Sequence, residues 1–237
     1  MANIVLLTAG GIGSRTHQSI PKQFISIKDK PIILYTMEKF QKHPEIDKIV
    51  IACLEGWESC LESYAHQYGI TKLAKVILGG RTGFESIKNG LKAIKEFAKE
   101  DDIVLIHDGN RPGVGNDTIS DCIFTAKTQG NAVTTISENG VVFQRNDDGT
   151  NTLLDRDKIM RTQTPHAAPF GKMTGLYARA EKEGITDLVA FCSLLHIFGE
   201  EINFVEGSEK NFKITYKDDI DLFKGLVYIE EEKNDKV

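Results

Sequence analysis

An α/β fold with a doubly wound, mostly parallel sheet is predicted by three features of this 237-residue sequence. Short β-branched runs recur along it, helical periodicities fill the gaps between them, and the first run ends in a glycine-rich turn. One domain, 1–237, is the expectation at this length, and 41% apolar with 27% charged residues is an ordinary globular balance.

Asn3 to Thr8, Lys48 to Cys53, Lys75 to Leu78 and Asp102 to His107 are β-branched, apolar and short, as buried parallel strands are. Pro31 followed by Ile32, Ile33, Met37 and Phe40 reads as a helix with an N-terminal proline, and Phe84, Ile87, Leu91, Ile94 and Phe97 as a second amphipathic helix. From Ala132 to Thr164 the pattern changes to two β-rich pieces, Val141 to Gln144 and Thr152 to Leu154, around the turn Asn146-Asp147-Asp148-Gly149. This stretch, 132–164, is expected to form a β-arm that packs on a second copy in a homodimer. Helices near Phe170 to Glu183 and Asp187 to Phe198 follow, then strands at Ile202 to Glu206 and Phe212 to Thr215, and a last helix after Lys217. The charged residues from Glu230 to Val237 are expected to fray.

The net charge of −5 argues against a general nucleic-acid binder, which needs a basic face. No apolar run approaches the roughly 20 residues of a membrane span, and Met1-Ala2-Asn3 leads directly into a strand, so no membrane partner and a cytoplasmic address are expected. Cys53, Cys60, Cys122 and Cys192 are scattered and form no Cys-x-x-Cys pair, which excludes a disulfide framework and leaves plain thiols.

In a doubly wound sheet, ligands sit beyond the carboxyl ends of the strands. There the sequence has Ala9-Gly10-Gly11-Ile12-Gly13-Ser14-Arg15, whose backbone N–H groups suit a phosphate chain. A plain tight turn is the competing reading. A dinucleotide fingerprint would need glycine at Thr16, and a Walker loop Gly-Lys-Ser/Thr; neither is present. Lys22, in Pro21-Lys22-Gln23, adds a second cation to Arg15, and such a pair suits a triphosphate and its leaving pyrophosphate. Asp108, closing a buried strand, suits a divalent ion such as Mg²⁺, with a turn-capping Asp as the alternative. His107 reads as a satisfied core histidine.

The glycine loop with Pro21-Lys22-Gln23 resembles the nucleotide loop of the methylerythritol-phosphate and ribitol-phosphate cytidylyltransferases. Gly79-Gly80 with Glu85-Ser86-Ile87, His107-Asp108-Gly109-Asn110-Arg111-Pro112, Gln163-Thr164-Pro165 and Phe212-Lys213-Ile214-Thr215 follow in that family's order over essentially the full length. The resemblance implies a Rossmann-like nucleotidyltransferase fold of the GT-A type, CTP as co-substrate and Mg²⁺ as cofactor. It implies that Arg15, Lys22 and Lys213 act in catalysis and that Ala9, Gly10, Gly11, Gly13, Gly79, Gly80, Ser86, Asp108 and Gly109 bind the nucleotide, Asp108 also holding the metal. Arg156 and Lys213 would bind the acceptor, Arg156 across the dimer. Gln163-Thr164-Pro165 would be structural.

The implied reaction joins a polyol phosphate, D-ribitol 5-phosphate for preference, to CMP. Trp57 in Cys53-Leu54-Glu55-Gly56-Trp57-Glu58 resembles the ribitol branch, although core packing is its plainer role. 2-C-methyl-D-erythritol 4-phosphate is the alternative acceptor. Gly83, the Asn139-Gly140 pair and the residues after Thr186-Asp187 depart from the family pattern. A catalytically silent nucleotide-binding protein and an NAD-dependent dehydrogenase are the readings of other classes. The first is opposed by Arg15, Lys22, Asp108 and Lys213, the second by the missing third glycine.

Overall fold

The computed structural model describes residues 1–11, 20–186, 188 and 190–234. In chain order its elements are β1 (Asn3–Ala9), β2 (Ser26–Ile27), β3 (Lys30–Pro31), α1 (Ile32–Lys42), β4 (Lys48–Cys53), α2 (Glu58–Gln67), β5 (Leu73–Leu78), α3 (Gly83–Ile94) and β6 (Ile103–Asp108). They continue with α4 (Asn116–Gln129), β7 (Ala132–Ser137), β8 (Phe143–Arg145), β9 (Asn151–Leu153), β10 (Met160–Pro169), α5 (Phe170–Lys182), α6 (Phe191–Ile197), β11 (Phe204–Glu206) and α7 (Lys217–Asn234).

Seven strands form one sheet in the order β11-β7-β10-β6-β1-β4-β5. β10 alone runs against its neighbours; β6, β1, β4 and β5 are mutually parallel, as are β11 and β7. From β1 the chain winds outward through β4 to β5 and then returns to lay β6 on the other side of β1. That reversal opens a crevice at the carboxyl ends of β1 and β6, where Thr8 and Asp108 stand in register.

Both faces of the sheet are covered. Val5, Leu7, Ile49 and Ile51 point to one side, against Ile33, Met37 and Phe40 of α1, Leu61 of α2 and Ile123 of α4. Ile4, Leu6, Val50 and Val104 point to the other, against Phe84 and Leu91 of α3, Met173 and Tyr177 of α5 and Phe191 of α6. Burial on both faces explains why these strands read as unbroken apolar runs. A smaller cluster joins Ile27 and Ile32 to Ile214 and to Ile220, Phe223 and Val227 of α7.

Four expectations change. The stretch 132–164 is not all arm, since β7 and the first half of β10 are laid into the central sheet and β8 and β9 alone pair outside it. Phe212 to Thr215 is not a strand: Ile214 N–H donates to the Asn110 carbonyl and Asn110 Nδ2 to the Ile214 carbonyl, so one side chain takes the place of a strand partner. Ile214 is fully buried, which produces the alternation that mimicked a strand. α6 begins at Phe191 rather than near Asp187, which lies outside the described residues, because Ala190 is extended. α7 carries the acidic run on as helix to Asn234, where fraying was expected from Glu230, and Asp235 to Val237 lie outside the described residues.

Among the described residues no helix is long and apolar enough to cross a membrane. All four cysteines are free, and burial pushes the Cys53 and Cys122 thiols up to about 12.

The buried Thr36 Oγ1 of α1 donates to the Gly109 carbonyl at 2.9 Å and ties α1 to the loop after β6. Thr36→Val keeps the shape and leaves that carbonyl unpaired, so chemical denaturation should show a loss of about 1–3 kcal/mol.

Candidate active site

The crevice is a cavity of about 350 Å³. One rim is backbone: Ala9, Gly10 and Gly11 after β1, and Gly80 after β5. A Cβ on Gly79 would stand 3.0 Å from the Cys53 carbonyl oxygen and 3.2 Å from the Gly10 Cα, which explains glycine at position 79. Ser86 Oγ accepts from Gly80 N–H at 2.9 Å and donates to the Thr82 carbonyl at 2.9 Å, while Thr82 caps α3 by accepting from Glu85 N–H. The capping role weighed for Ser86 therefore falls to Thr82, and Ser86 is left to shape the rim.

Asp108 lies at the centre. Its Oδ1 accepts from Lys213 Nζ at 2.9 Å and its Oδ2 from Arg111 Nε at 2.9 Å. Burial alone would raise this carboxyl, but the two cations outweigh it and hold it well below the usual carboxylate range. Thr164 Oγ1 accepts from the Asp108 N–H at 3.0 Å and lies 3.1 Å from His107 Nδ1, while His107 Nε2 reaches the Arg111 carbonyl at 3.0 Å. His107 is thus a satisfied core histidine, and Arg111 both flanks Asp108 and bonds the Asn211 carbonyl at 2.7 Å. Asn211 Nδ2 bonds Gln163 Oε1 and the Thr164 carbonyl, which anchors the segment leading to Lys213.

The structure brings Ala9, Gly10, Gly11, Lys22, Gly80, Ser86, Asp108 and Lys213 around one cavity. Gly13 and Arg15 lie outside the described residues. Gly79 and Gly109 stand behind the wall; Gly109 N–H bonds the Thr8 carbonyl at 2.9 Å. Arg156 is exposed in the arm, bonded to the Asn139 carbonyl at 3.1 Å, and does not line the cavity.

Sequence reasoning gave Gln163-Thr164-Pro165 a structural role and Gln23 none, and it passed over Thr162, His166 and Phe191 as cavity residues. Gln23 Nε2 donates to the carbonyls of Ala9 at 2.7 Å and Gly11 at 3.1 Å, so it props the glycine loop from behind. Its place beside Lys22 was the available signal. Phe24 of the same turn stacks on Trp57 with ring centres 4.3 Å apart, which gives Trp57 its packing role. Thr162, Gln163, Thr164 and His166 reach the wall because the register of β10 with β7 breaks between Thr162 and His166. No sequence pattern announces that irregularity.

Residues 3–228 match the family model described as IspD: 2-C-methyl-D-erythritol 4-phosphate cytidylyltransferase. The chain belongs to the IspD family of cytidylyltransferases. It is therefore a nucleotidyltransferase by family. One IspD-family relative, the ribitol-5-phosphate cytidylyltransferase of Lacticaseibacillus paracasei, is 37% identical over 94% of this chain and 96% of its own. Another, the 2-C-methyl-D-erythritol 4-phosphate cytidylyltransferase of Clostridium acetobutylicum, is 35% identical over 92% and 94%. The crystal structure of the IspD protein of Francisella tularensis superimposes with a TM-score of 0.79 at 30% identity, covering 94% of this chain and 98% of that one.

Burial pushes His107 and His166 down to about 4. Unfolded, each would take a proton near 6.5, so between these values the unfolded state binds more protons and stability falls as pH drops. Asp108, depressed in the fold, contributes fully above the unfolded carboxylate value of about 4 and loses that contribution only at lower pH. Urea midpoints should therefore decline from pH 7 to 4.5, and His166→Gln should remove roughly half of the decline. A flat profile contradicts this.

Proposed function

We propose that this chain transfers CMP from CTP to D-ribitol 5-phosphate and releases pyrophosphate. The observation carrying the reading is Asp108 gripping Lys213 and Arg111 beside the backbone rim of Gly10, Gly11 and Gly80. Fixed cations beside fixed N–H donors suit the meeting of two anions. A phosphate monoester, with a second pKa near ~6, is already ionised at neutral pH and needs no catalytic base. Its oxygen attacks the α-phosphorus of CTP, the new O–P bond forms, the bond to the β-phosphate oxygen breaks, and pyrophosphate departs with the electron pair. Lys213 offsets the repulsion between the two anions. Lys22, with Arg15 carried over from the family resemblance, faces the departing pyrophosphate.

Asp108 Oδ1 takes contacts from Lys213 and Thr8 Oγ1, whereas Oδ2 has a second acceptor direction beside its bond from Arg111, so Asp108 would hold a Mg²⁺ ion through Oδ2. When bound, that ion supplies charge neutralisation on the phosphates. The preference for ribitol 5-phosphate follows relatives of that name at 37% and 35% identity, with Trp57 as a minor support. A cytoplasmic address goes with use of CTP.

Purified protein with CTP and Mg²⁺ should release pyrophosphate fastest with ribitol 5-phosphate, against 2-C-methyl-D-erythritol 4-phosphate and glycerol 3-phosphate. Chelation should stop the reaction, and Lys213→Met should lower kcat by about 10²–10³-fold. Faster turnover of methylerythritol phosphate transfers the assignment to that acceptor.

We also propose that the arm joins two copies. Phe143 and Leu153 are cross-strand partners, 60% and 62% exposed, in a two-stranded hairpin of a kind too small to be stable alone. A two-fold pairing of arms would cover them and bring Arg156 to the partner's acceptor phosphate. Phe143→Glu with Leu153→Glu should give a monomer in sedimentation and weaken acceptor binding; an intact dimer rejects the arm as the interface.

A further inference from the structure

Among the described residues lining the cavity, one buried side-chain polar atom has no hydrogen-bond partner. His166 is 2% exposed, stands on β10 opposite Ile106 of β6, and lines the cavity. A backbone hydrogen bond to Gln163 serves its ring, whereas Nε2 has no partner. Buried polar atoms are nearly always paired, so an orphan in a cavity wall points to a missing ligand atom. With the other ring nitrogen protonated toward the Gln163 carbonyl, Nε2 of the neutral ring is an acceptor. The missing atom is a donor.

Strand order says which part of the ligand supplies it. The rim formed by Gly10, Gly11, Gly80 and Ser86 follows β1 and β5, with β4 between. Asp108, with Lys213 and Arg111, is on β6, and His166 is on β10, two strands beyond β1 on the opposite side. At ~4.8 Å per strand this places β10 about 10 Å from β1. The sequence across the cavity is nucleotide rim, cationic centre, His166. A molecule whose phosphate lies at the cationic centre extends its carbon chain to the His166 side.

We propose that His166 Nε2 accepts a hydrogen bond from a hydroxyl of the acceptor and thereby selects polyol phosphates. This inference rests on the transferase reading above. His166 is a specificity-determining residue, not a participant in the phosphoryl step. A phosphate ester without a hydroxyl at that place leaves Nε2 unpaired and is rejected, as sites built around a buried hydrogen bond reject analogues lacking the partner.

His166→Leu keeps the bulk and removes the acceptor; His166→Gln returns an acceptor oxygen. For the leucine variant kcat/KM for the polyol phosphate should fall about 10- to 100-fold while KM for CTP stays constant, and the glutamine variant should recover to within a few-fold of wild type. Melting temperatures establish that both variants fold. A rise in KM for CTP alone overturns the proposal in favour of a nucleotide ribose hydroxyl, and unchanged kinetics overturns it in favour of a water-filled niche. If the wild-type protein turns over none of the polyol phosphates, the transferase reading fails by itself. The ¹⁵N resonance of His166 Nε2 then decides the present point: a shift on adding ribitol 5-phosphate, absent with CTP alone, supports it, and an unmoved resonance rejects it.

Discussion

The Asp108 carboxylate, shared between Lys213 and Arg111, is the constraint on which the cavity depends. Its three residues come from the end of β6, the loop after it and a segment some hundred positions later. The three side chains are partly buried, and charges drawn out of water persist when paired, so the carboxylate fixes both cations and the cations keep it ionised. Supporting bonds run outward from this group. Thr164 and His107 hold the Asp108 backbone, Asn211 and Gln163 hold the Lys213 segment to β10, and Ile214 sinks into the small core with α7.

The glycines serve a second constraint, the contact of two loops. Gly79 lets the turns after β1 and β5 touch, and Gly113 lets the loop after β6 pass beneath the Lys210 carbonyl, where any Cβ would strike backbone. These approaches hold the backbone rim and the Lys213 segment close enough to face one cavity. Gln23 completes the arrangement by bonding the Ala9 and Gly11 carbonyls where the glycine loop begins.

Much of this was legible in the sequence because parallel strands buried on both faces leave continuous apolar runs, as at Asn3–Ala9 and Lys48–Cys53. Glycine and charged residues at strand ends pointed to the crevice. What failed to show was nonlocal. The Phe212 to Thr215 stretch alternates like a strand, yet its bonds go to the Asn110 loop. β10 reverses the sheet direction and then breaks register, and it is that break which brings Thr164 and His166 to the wall. The arm was read correctly as a hairpin but too generously in extent, since β-branched residues at Val133 to Ile136 look alike whether they enter a hairpin or a central sheet.

The chain has a single tryptophan, and it stacks on Phe24, two residues after Lys22. The indole therefore sits in the same small aromatic contact as the turn that carries Lys22 to the cavity wall. Any rearrangement of that turn alters the ring's surroundings, so the single indole is a built-in fluorophore for movement of the turn, readable without a label.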